Sequence, residues 1–522
     1  MDDENFESQK LKNDAVYDFV RDRKVVKDPK VLTKSKFLNG LQCPKLLWMR
    51  CNAPEAIPLP SDRLQQVFDV GHKVGELAMT RFPGGARIQE DDFLRNIEET
   101  KTLLAAANPK PIYEAGVMAG RLFSRADILV PSSLGIGYWD IVEVKCGTDL
   151  KDVYLQDIAF QRYCYELAGL KIGRCFLMHI NSDYVRDGDI DVQEFFALVD
   201  VTDKFALMSG EIKKTIDGFL AIVDMPTCPG ISIGKHCNKP YECQMKLSCW
   251  AFLPPGNVLE LRGNKDKAFQ MLDQGIVLLK DIPKNAKLSD TRAIQYQCAL
   301  AGKPHVDLPA IVAFVKGMKY PLYFIDFETI FEAIPRFNGT SPYQQIPIQF
   351  SVHVQEIPGG ELKHYSFLQK SPADPRKDFL DSLCACTGIQ GNVVVYNRTF
   401  EESHVLNKMK DSFPEYESRI ADICSRMADL LDVFRSFLYY HPDQRGSASI
   451  KKVLPVLGGK SYKDMAISDG GQATTEYSRV TYGDQVDPAD RQKVYTDLED
   501  YCALDTIAMV DILAALEALQ KG

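Results

Sequence analysis

The chain has 522 residues, 45% of them hydrophobic and 25% charged, a composition that excludes a disordered or fibrous polymer and predicts a soluble protein of two or three domains. A net charge of -9 excludes a protein that coats nucleic acid by bulk electrostatics, so any such contact has to use a local basic groove. The opening Met1, Asp2, Asp3, Glu4 lacks the basic-then-apolar pattern of a secretory signal, and runs such as Leu308 to Val315 fall far short of the roughly 20 apolar residues of a membrane helix; the expectation is a cytoplasmic protein with no membrane partner.

In chain order, the first elements are basic and then helical. Arg21, Arg23, Lys24, Lys27, Lys30, Lys34 and Lys36, diluted only by Asp22 and Asp28, read on charge alone either as a nucleic-acid groove or as a solvated linker. Thr33 and Ser35 are good helix starters, followed by Phe37, Leu38, Leu41, Leu46, Leu47 and Trp48 at helix-compatible spacing. Val67, Val70, Val74 and Leu77 set one stripe of a helix over residues 62–80. Between 111 and 145 the pattern shifts to short β-like runs, Ile128-Leu129-Val130 and Trp139 to Val144, interrupted by Pro131-Ser132-Ser133, Gly135 and Gly137. Strands followed by a helix near Leu155 imply an α/β core. Pro254-Pro255-Gly256 ends this unit, and 258–318 read as a mostly helical connector without candidate chemistry. A second α/β pattern starts at Tyr323-Phe324-Ile325, continues through Val393-Val394-Val395 and closes on a helix from about Pro488 to Leu519.

Asp127 lies beside one β-like run and Glu143-Val144-Lys145 ends the next, so two strands can bring two carboxylates and one amine to a common edge. The acids suit Mg²⁺ or Mn²⁺ bound through oxygen, and the lysine can orient or help deprotonate water and stabilise charge on phosphate. Surface charge is the plain alternative for so short a pattern. Its neighbours strengthen it: Gln161 and Tyr165, four apart, share one helix face. His72, after Gly71 and close to the apolar stripe, reads either as a satisfied structural histidine or as a third ligand. The order His72, Asp127, Glu143-x-Lys145, Gln161-x-x-x-Tyr165, across about residues 33 to 252, resembles the RecB-like branch of the PD-(D/E)XK nucleases, including the CRISPR-adaptation exonucleases. That resemblance implies metal binding by His72, Asp127 and Glu143, catalysis by Lys145 and support from Gln161 and Tyr165, with Tyr163 as the alternative tyrosine.

Fourteen cysteines in a large cytosolic chain read as buried thiols except where they cluster. Cys237, Cys243 and Cys249 cluster, and thiolates so spaced favour a soft metal. Zinc sites usually show two close C-x-x-C-like pairs, whereas three cysteines need a distant fourth. The nuclease branch named above places one cysteine before its domain and three after it, which points to Cys43, in Gly40-Leu41-Gln42-Cys43-Pro44-Lys45. In such relatives the four hold a 4Fe-4S cluster; the resemblance implies the same cluster here, stapling the ends of the domain together. Cys51 and Cys228 remain rivals for one ligand position.

Further along, the acids of Tyr323-Phe324-Ile325-Asp326-Phe327-Glu328-Thr329 alternate, which puts Asp326 and Glu328 on one side of a pleated strand, where they can bridge a metal pair. In Tyr501-Cys502-Ala503-Leu504-Asp505-Thr506 a phenol stacks one helical turn before an acid. These blocks resemble the DEDDy exonucleases, whose fold is RNase H-like. Their middle acid follows a strand and an Asn, as in Val394-Val395-Tyr396-Asn397-Arg398-Thr399-Phe400-Glu401, except that Glu401 stands where Asp is usual and reaches one methylene further. An active site with a shifted metal, a weak site and a binding platform all stay open. Asp429 and Asp432 are either substitutes for Glu401 or exposed helix acids. The resemblance implies two-metal hydrolysis at a 3′ end, with Asp326, Glu328, Glu401 and Asp505 holding the ions and Tyr501 orienting the attacking water.

Together with the stretch Leu32 to Lys45 and the Tyr320-Pro321-Leu322-Tyr323 approach to Asp326, these blocks resemble a bacterial family of uncharacterised proteins that fuse the two domains. The expected architecture is α/β: a polar segment 1–32, a PD-(D/E)XK restriction-endonuclease-like domain with an iron–sulfur staple over 33–253, a helical connector over 254–318 and an RNase H-like DEDD exonuclease domain over 319–522. The expected activity is that of a metal-dependent nuclease on single-stranded or end-bearing DNA, in repair or in defence against foreign DNA, with RNA as the alternative substrate. A nucleic-acid-binding scaffold with decayed sites and a redox sensor reading the cluster are the other classes considered. No Walker-type phosphate loop is present, so any unwinding falls to a partner helicase. Trp48, Tyr154 and Trp250 are base-stacking candidates or core residues.

Overall fold

The computed structural model describes residues 30–520 apart from 61, 90–91, 207, 460–461 and 463–464; Arg21, Arg23, Lys24 and Lys27 of the basic run lie outside the described residues. The protein is a mixed α/β chain that forms two compact units. Of the described residues, one unit comprises those up to Ala251 with Glu332–Tyr343, the other Phe252–Phe331 with those from Gln344 onward. No helix among the described residues is long and apolar enough to cross a membrane.

In the first unit, β1 (Leu32–Thr33) leads directly into α1 (Lys34–Gln42), whose first turn is capped by the Thr33 hydroxyl accepting from the Lys36 N–H. Cys43 adopts extended backbone and ends α1, and Pro44 opens α2 (Pro44–Asn52), where its missing N–H has no helical partner to lose. Then follow α3 (Asp62–Met79), β2 (Ala86–Arg87), α4 (Phe93–Leu104), β3 (Ile112–Ala119), β4 (Leu122–Pro131), β5 (Tyr138–Lys145), α5 (Asp152–Leu167), β6 (Lys171–Ile180), β7 (Phe196–Asp200), α6 (Ser209–Val223) and α7 (Lys246–Trp250).

The sheet runs β2-β3-β4-β5-β6-β7, with β1 added to β4. β3, β4 and β5 form an antiparallel meander, whereas β5 and β6 are parallel and joined by the crossover helix α5. Against this sheet α5 buries Ile158, Phe160 and Tyr165; Phe37 of α1 stacks on Phe160 with centroids 4.7 Å apart and tilts against Phe219 of α6 at 5.5 Å. Gly40 permits that approach, since a Cβ there would lie 2.7 Å from the Phe219 ring. Burying each such ring contributes about 1.5–3 kcal/mol. Arg186, bonded to the Pro335 and Arg336 carbonyls at 2.9 and 3.0 Å, and Tyr343, whose hydroxyl donates to Cys146 O at 2.7 Å, make Glu332–Tyr343 part of this unit.

The second unit begins with α8 (Asp266–Asp273), α9 (Asp290–Ala301), β8 (His305–Val306) and α10 (Leu308–Lys316). Residues 254–318, expected as a connector, are part of this unit: Val258, Leu259, Leu261, Ala268 and Ile311 are buried, and Arg262 donates to the Arg435 and Gly446 carbonyls. Next come β9 (Leu322–Ile330), β10 (Ile346–Gln355), β11 (Leu362–Leu368), α11 (Arg376–Cys386), β12 (Asn392–Val395), a π-helical turn (Thr399–Leu406), α12 (Glu417–Ser425), β13 (Met427–Asp429), β14 (Tyr439–Tyr440), α13 (Ile450–Val456), α14 (Gly470–Tyr482) and the long α15 (Pro488–Ala518).

The main sheet of this unit has the order β11-β10-β9-β12-β13, antiparallel across β11, β10 and β9 and parallel across β9, β12 and β13. Period-two alternation divides β9. Tyr323, Ile325 and Phe327 join a core with Phe350 and Phe379, while Asp326 and Glu328 point to the other face. There α15 lies along β9 and β10, fixed by Gln349 donating to Leu498 O at 2.8 Å.

Candidate functional site

Acids from β9 and α15 converge in the second unit. Oxygens of Asp326, Glu328 and Asp505 all lie within 4.8 Å of one another, the only such set of His, Cys, Asp or Glu ligand atoms among the described residues. Burial and the charge of Asp505 raise Asp326 well above the usual carboxylate range, with Glu328 and Glu401 adding to the effect. Burial, then Asp505, pushes Glu328 up to about 8, and burial pushes Asp505 up to about 6. Glu401, on the π-helical turn, is buried, and its Oε2 accepts no hydrogen bond among the described residues. Burial, with Asp429 nearby, raises this group too. Oxygen donors crowded at this cost, one of them orphaned, fit a hard divalent cation.

Phenols and one ammonium border these acids. The Tyr462 hydroxyl donates to Asp505 Oδ1 at 2.6 Å, and Lys451, from α13, donates to the Tyr501 hydroxyl at 3.2 Å. Asp429 has a separate task. It is buried at the end of β13 and accepts the Asn397, Arg398 and Leu431 N–H groups at 3.1, 3.1 and 2.9 Å, which pins the turn carrying Glu401. Asn397, two residues before that turn, has φ +116°, a strained value for a side-chain-bearing residue. Asp432 pairs with Arg435 at 2.9 Å on the surface.

In the first unit β4 and β5 pair only from Ile128–Val142 to Pro131–Trp139. Beyond that point the strands part, and the Val144 N–H bonds to Asp127 Oδ2 at 2.8 Å instead of to a backbone carbonyl. Glu143 is fully buried. Lys34 and Lys145 donate to its Oε1 at 2.8 and 2.7 Å, and the Gln161 amide to its Oε2 at 2.6 Å. Lys145 also reaches Asp157 Oδ2 at 2.6 Å and lies 5.3 Å from the Tyr154 ring centre, so Tyr154 is core rather than exposed stacking surface. Tyr165 donates to Ala115 O and accepts from the Ala126 N–H at 3.0 Å, bracketing the strand just before Asp127; Tyr163 packs at the edge of the core. His72 is exposed on α3, which packs against β5. Asp127 and Glu143 can offer oxygen to a divalent cation, but at Glu143 Oε1 it has to compete with two ammonium groups.

Cys43, at the junction of α1 and α2, faces Cys237, Cys243 and Cys249 across a small cavity that His236 and Met245 also line. The Gln42 amide donates to the His236 and Tyr241 carbonyls at 2.9 and 2.7 Å, fastening the cysteine loop to α1. Burial raises Cys43, offset by the Leu46 and Lys45 N–H groups at the start of α2, with Cys237 and Cys249 acting against ionisation; Cys243 is pushed up to about 11, burial again being the main cause. Cys51 belongs to the main core with Leu47; Cys228 is half-buried, close enough to feel Cys43 and Cys249. None of the fourteen cysteines is joined in a disulfide.

Residues 323–449 match the family described as Domain of unknown function (DUF2779). The DUF2779 region starts in β9, takes in Asp326, Glu328, Glu401 and Asp429, and stops before Lys451, Tyr501 and Asp505. Two curated relatives carry no function in their names: "Uncharacterized protein MG366 homolog" of Mycoplasma pneumoniae, 27% identical over 214 residues (37% of this chain, 32% of the relative), and "Uncharacterized protein MG366" of Mycoplasma genitalium, 28% identical over 224 residues (40% and 33%). The chain matches about a third of the length of each. These likenesses fit a family of uncharacterised function.

The structure brings together Asp326, Glu328 and Asp505, sets Tyr501 and Glu401 at their edge, joins Glu143, Lys145 and Gln161, and gathers the four cysteines. Sequence reasoning placed Lys34 in a basic run without its Glu143 partner, and missed Asp157, Lys451 and Tyr462. Asp157 stands four residues before Gln161, a spacing that could have flagged it. Lys451 and Tyr462 lie outside the DUF2779 region on elements that only tertiary packing joins to the acids.

Proposed function

We propose that this chain is a metal-dependent nuclease that hydrolyses phosphodiester bonds in single-stranded or end-bearing DNA, with an exonuclease site of DEDD type in the second unit and a PD-(D/E)XK site in the first. The observation that carries the reading is the convergence of Asp326, Glu328 and Asp505 within 4.8 Å, beside a phenol and a fourth buried acid. Divalent cations bound there would supply Lewis acidity and an activated water. Asp326, Glu328 and Asp505 hold them, Glu401 closes the cluster, and Tyr501 orients water at the scissile phosphate. The strand order β11-β10-β9-β12-β13, three antiparallel and then two parallel, supports an RNase H-like fold.

For the first unit, the meander with a crossover helix and the placing of Asp127 and Glu143-x-Lys145 where β4 and β5 part support the restriction-endonuclease-like reading. Lys145, paired with Glu143 and Asp157, stabilises charge developing on phosphate. Cys43, Cys237, Cys243 and Cys249 hold a 4Fe-4S cluster that staples the unit, a reading supported by the small cavity that all four line. Nucleic acid is the partner, DNA ahead of RNA, with a helicase for any unwinding, in repair or in defence against foreign DNA.

A second reading is favoured by one observation: both oxygens of Glu143 are taken by Lys34, Lys145 and Gln161. On that reading the first unit binds nucleic acid and all cleavage belongs to the second. Cleavage of end-labelled single-stranded and duplex DNA and RNA with Mn²⁺ or Mg²⁺, in wild type, Lys145→Ala, Asp326→Ala and the double variant, separates these. Loss in one single variant assigns the chemistry to that unit. Partial loss in each supports two working sites, and activity that survives the double variant refutes the proposal.

A further inference from the structure

Lys451 reaches the acids of the second unit from α13. Its ammonium is 3.2 Å from the Tyr501 hydroxyl, 5.2 Å from the centre of the Tyr501 ring and 5.4 Å from that of Tyr462. The two rings stand 6.3 Å apart at 65° and form a cleft around the charge. A further donor of the ammonium goes to Ser468 O. Lysine has donors and no acceptor, so at Tyr501 it gives a hydrogen bond to the phenol oxygen and leaves the phenol proton to be given elsewhere. That gift also polarises the O–H and makes it a stronger donor. Tyr462, on the other side of the cleft, is committed to Asp505. Tyr501 hydrogen-bonds Asp505 as well, and of the two phenols it is the one that accepts from Lys451, so the lysine holds its oxygen while its proton faces the acids.

We propose, on the reading of this cluster as a nuclease centre, that Lys451 is a positioning residue that fixes Tyr501 as a hydrogen-bond donor beside Asp326, Glu328 and Asp505. Nothing in the D-x-E and Y-x-x-x-D spacings implies such a cation. Its presence has a cost, because a positive charge beside the carboxylates opposes any divalent cation they bind.

The test uses the full chain with Asp127→Asn, which confines hydrolysis to the second unit and still offers an oxygen to the Val144 N–H, and compares Lys451, Lys451→Met and Lys451→Arg, each with Tyr501 and with Tyr501→Phe. The expected result for Lys451→Met is a fall in kcat of about tenfold or more with KM changed less than about threefold, and recovery to within about threefold by Lys451→Arg. In the Tyr501→Phe background Lys451→Met should add less than about twofold. Mn²⁺ should bind the metal-free Lys451→Met protein about threefold or more tightly than its parent. An effect on kcat that persists in full without the phenol, or weaker Mn²⁺ binding, overturns the proposal in favour of a merely structural lysine. If the second unit shows no hydrolysis at all, the nuclease reading falls, and the near-ultraviolet band that differs between the parent and Tyr501→Phe decides the role of Lys451. A shift of that band on Lys451→Met sustains the contact, and an unmoved band refutes it.

Discussion

The Tyr462 hydroxyl donates to Asp505 Oδ1 at 2.6 Å, and this bond favours the ionised acid against the burial that pushes Asp505 up to about 6. A hydrogen bond to a charged group contributes about 1.5–3 kcal/mol. In Tyr462→Phe the Asp505 carboxyl should therefore rise further, and the acid limb of the pH profile for metal-dependent hydrolysis should move to higher pH. Mn²⁺ affinity measured by calorimetry at pH 6 should fall severalfold, and the loss should shrink by pH 8, where protons no longer compete.

Glu328 is one of the buried acids through which stability depends on pH. In the metal-free fold it keeps its proton to about 8, whereas its ordinary value is 4.5. Between those values the folded chain binds a proton that the unfolded chain has released, so this group lowers stability as pH rises through that window and adds nothing further above it. Glu328→Gln has no proton to lose. Its melting temperature relative to wild type should therefore climb from pH 5 to pH 8 in chelator, and a difference that is flat across that range would contradict a raised Glu328.

Lys145 is buried against Glu143 and Asp157. Removing one member of a buried pair leaves an unpaired charge and costs about 3–5 kcal/mol. Lys145→Met should thus unfold at markedly lower denaturant concentration than wild type. Asp157→Asn should cost less, because Glu143 still pairs with Lys145; the two denaturation midpoints check the order.

Cys43→Ser should abolish brown colour and the broad absorption near about 400 nm of anaerobically purified protein and lower its melting temperature, as loss of a structural metal group does. Cys51→Ser should leave the absorption intact, since Cys51 lies in the apolar core. Colour retained in Cys43→Ser would exclude Cys43 as a ligand.

Residues related by a short fixed period were legible in the sequence. Asp326 and Glu328 share a strand face at a spacing of two, Tyr501 and Asp505 a helix face at four, and the cysteine trio lies within one loop. Lys34, Lys451 and Tyr462 were not legible, because their partners are 109, 50 and 43 residues away and no local pattern records such a pairing. Asp429 shows the opposite failure. Read as a spare metal acid or an exposed helix acid, it is a buried strand-end group spent on three backbone N–H donors. The stretch 254–318 looked like a connector because its helices are short, yet its apolar residues are buried in the second unit.

Helix α1 begins with Lys34, which grips Glu143, and ends with Gln42, which grips the cysteine loop. A helix advances about 1.5 Å and turns about 100° per residue. Its nine residues are thus a gauge between two anchor points: a single insertion or deletion would swing one end out of register while leaving the apolar content of the helix intact. Its length is therefore as tightly constrained as the Phe37 and Gly40 face that packs on Phe160 and Phe219.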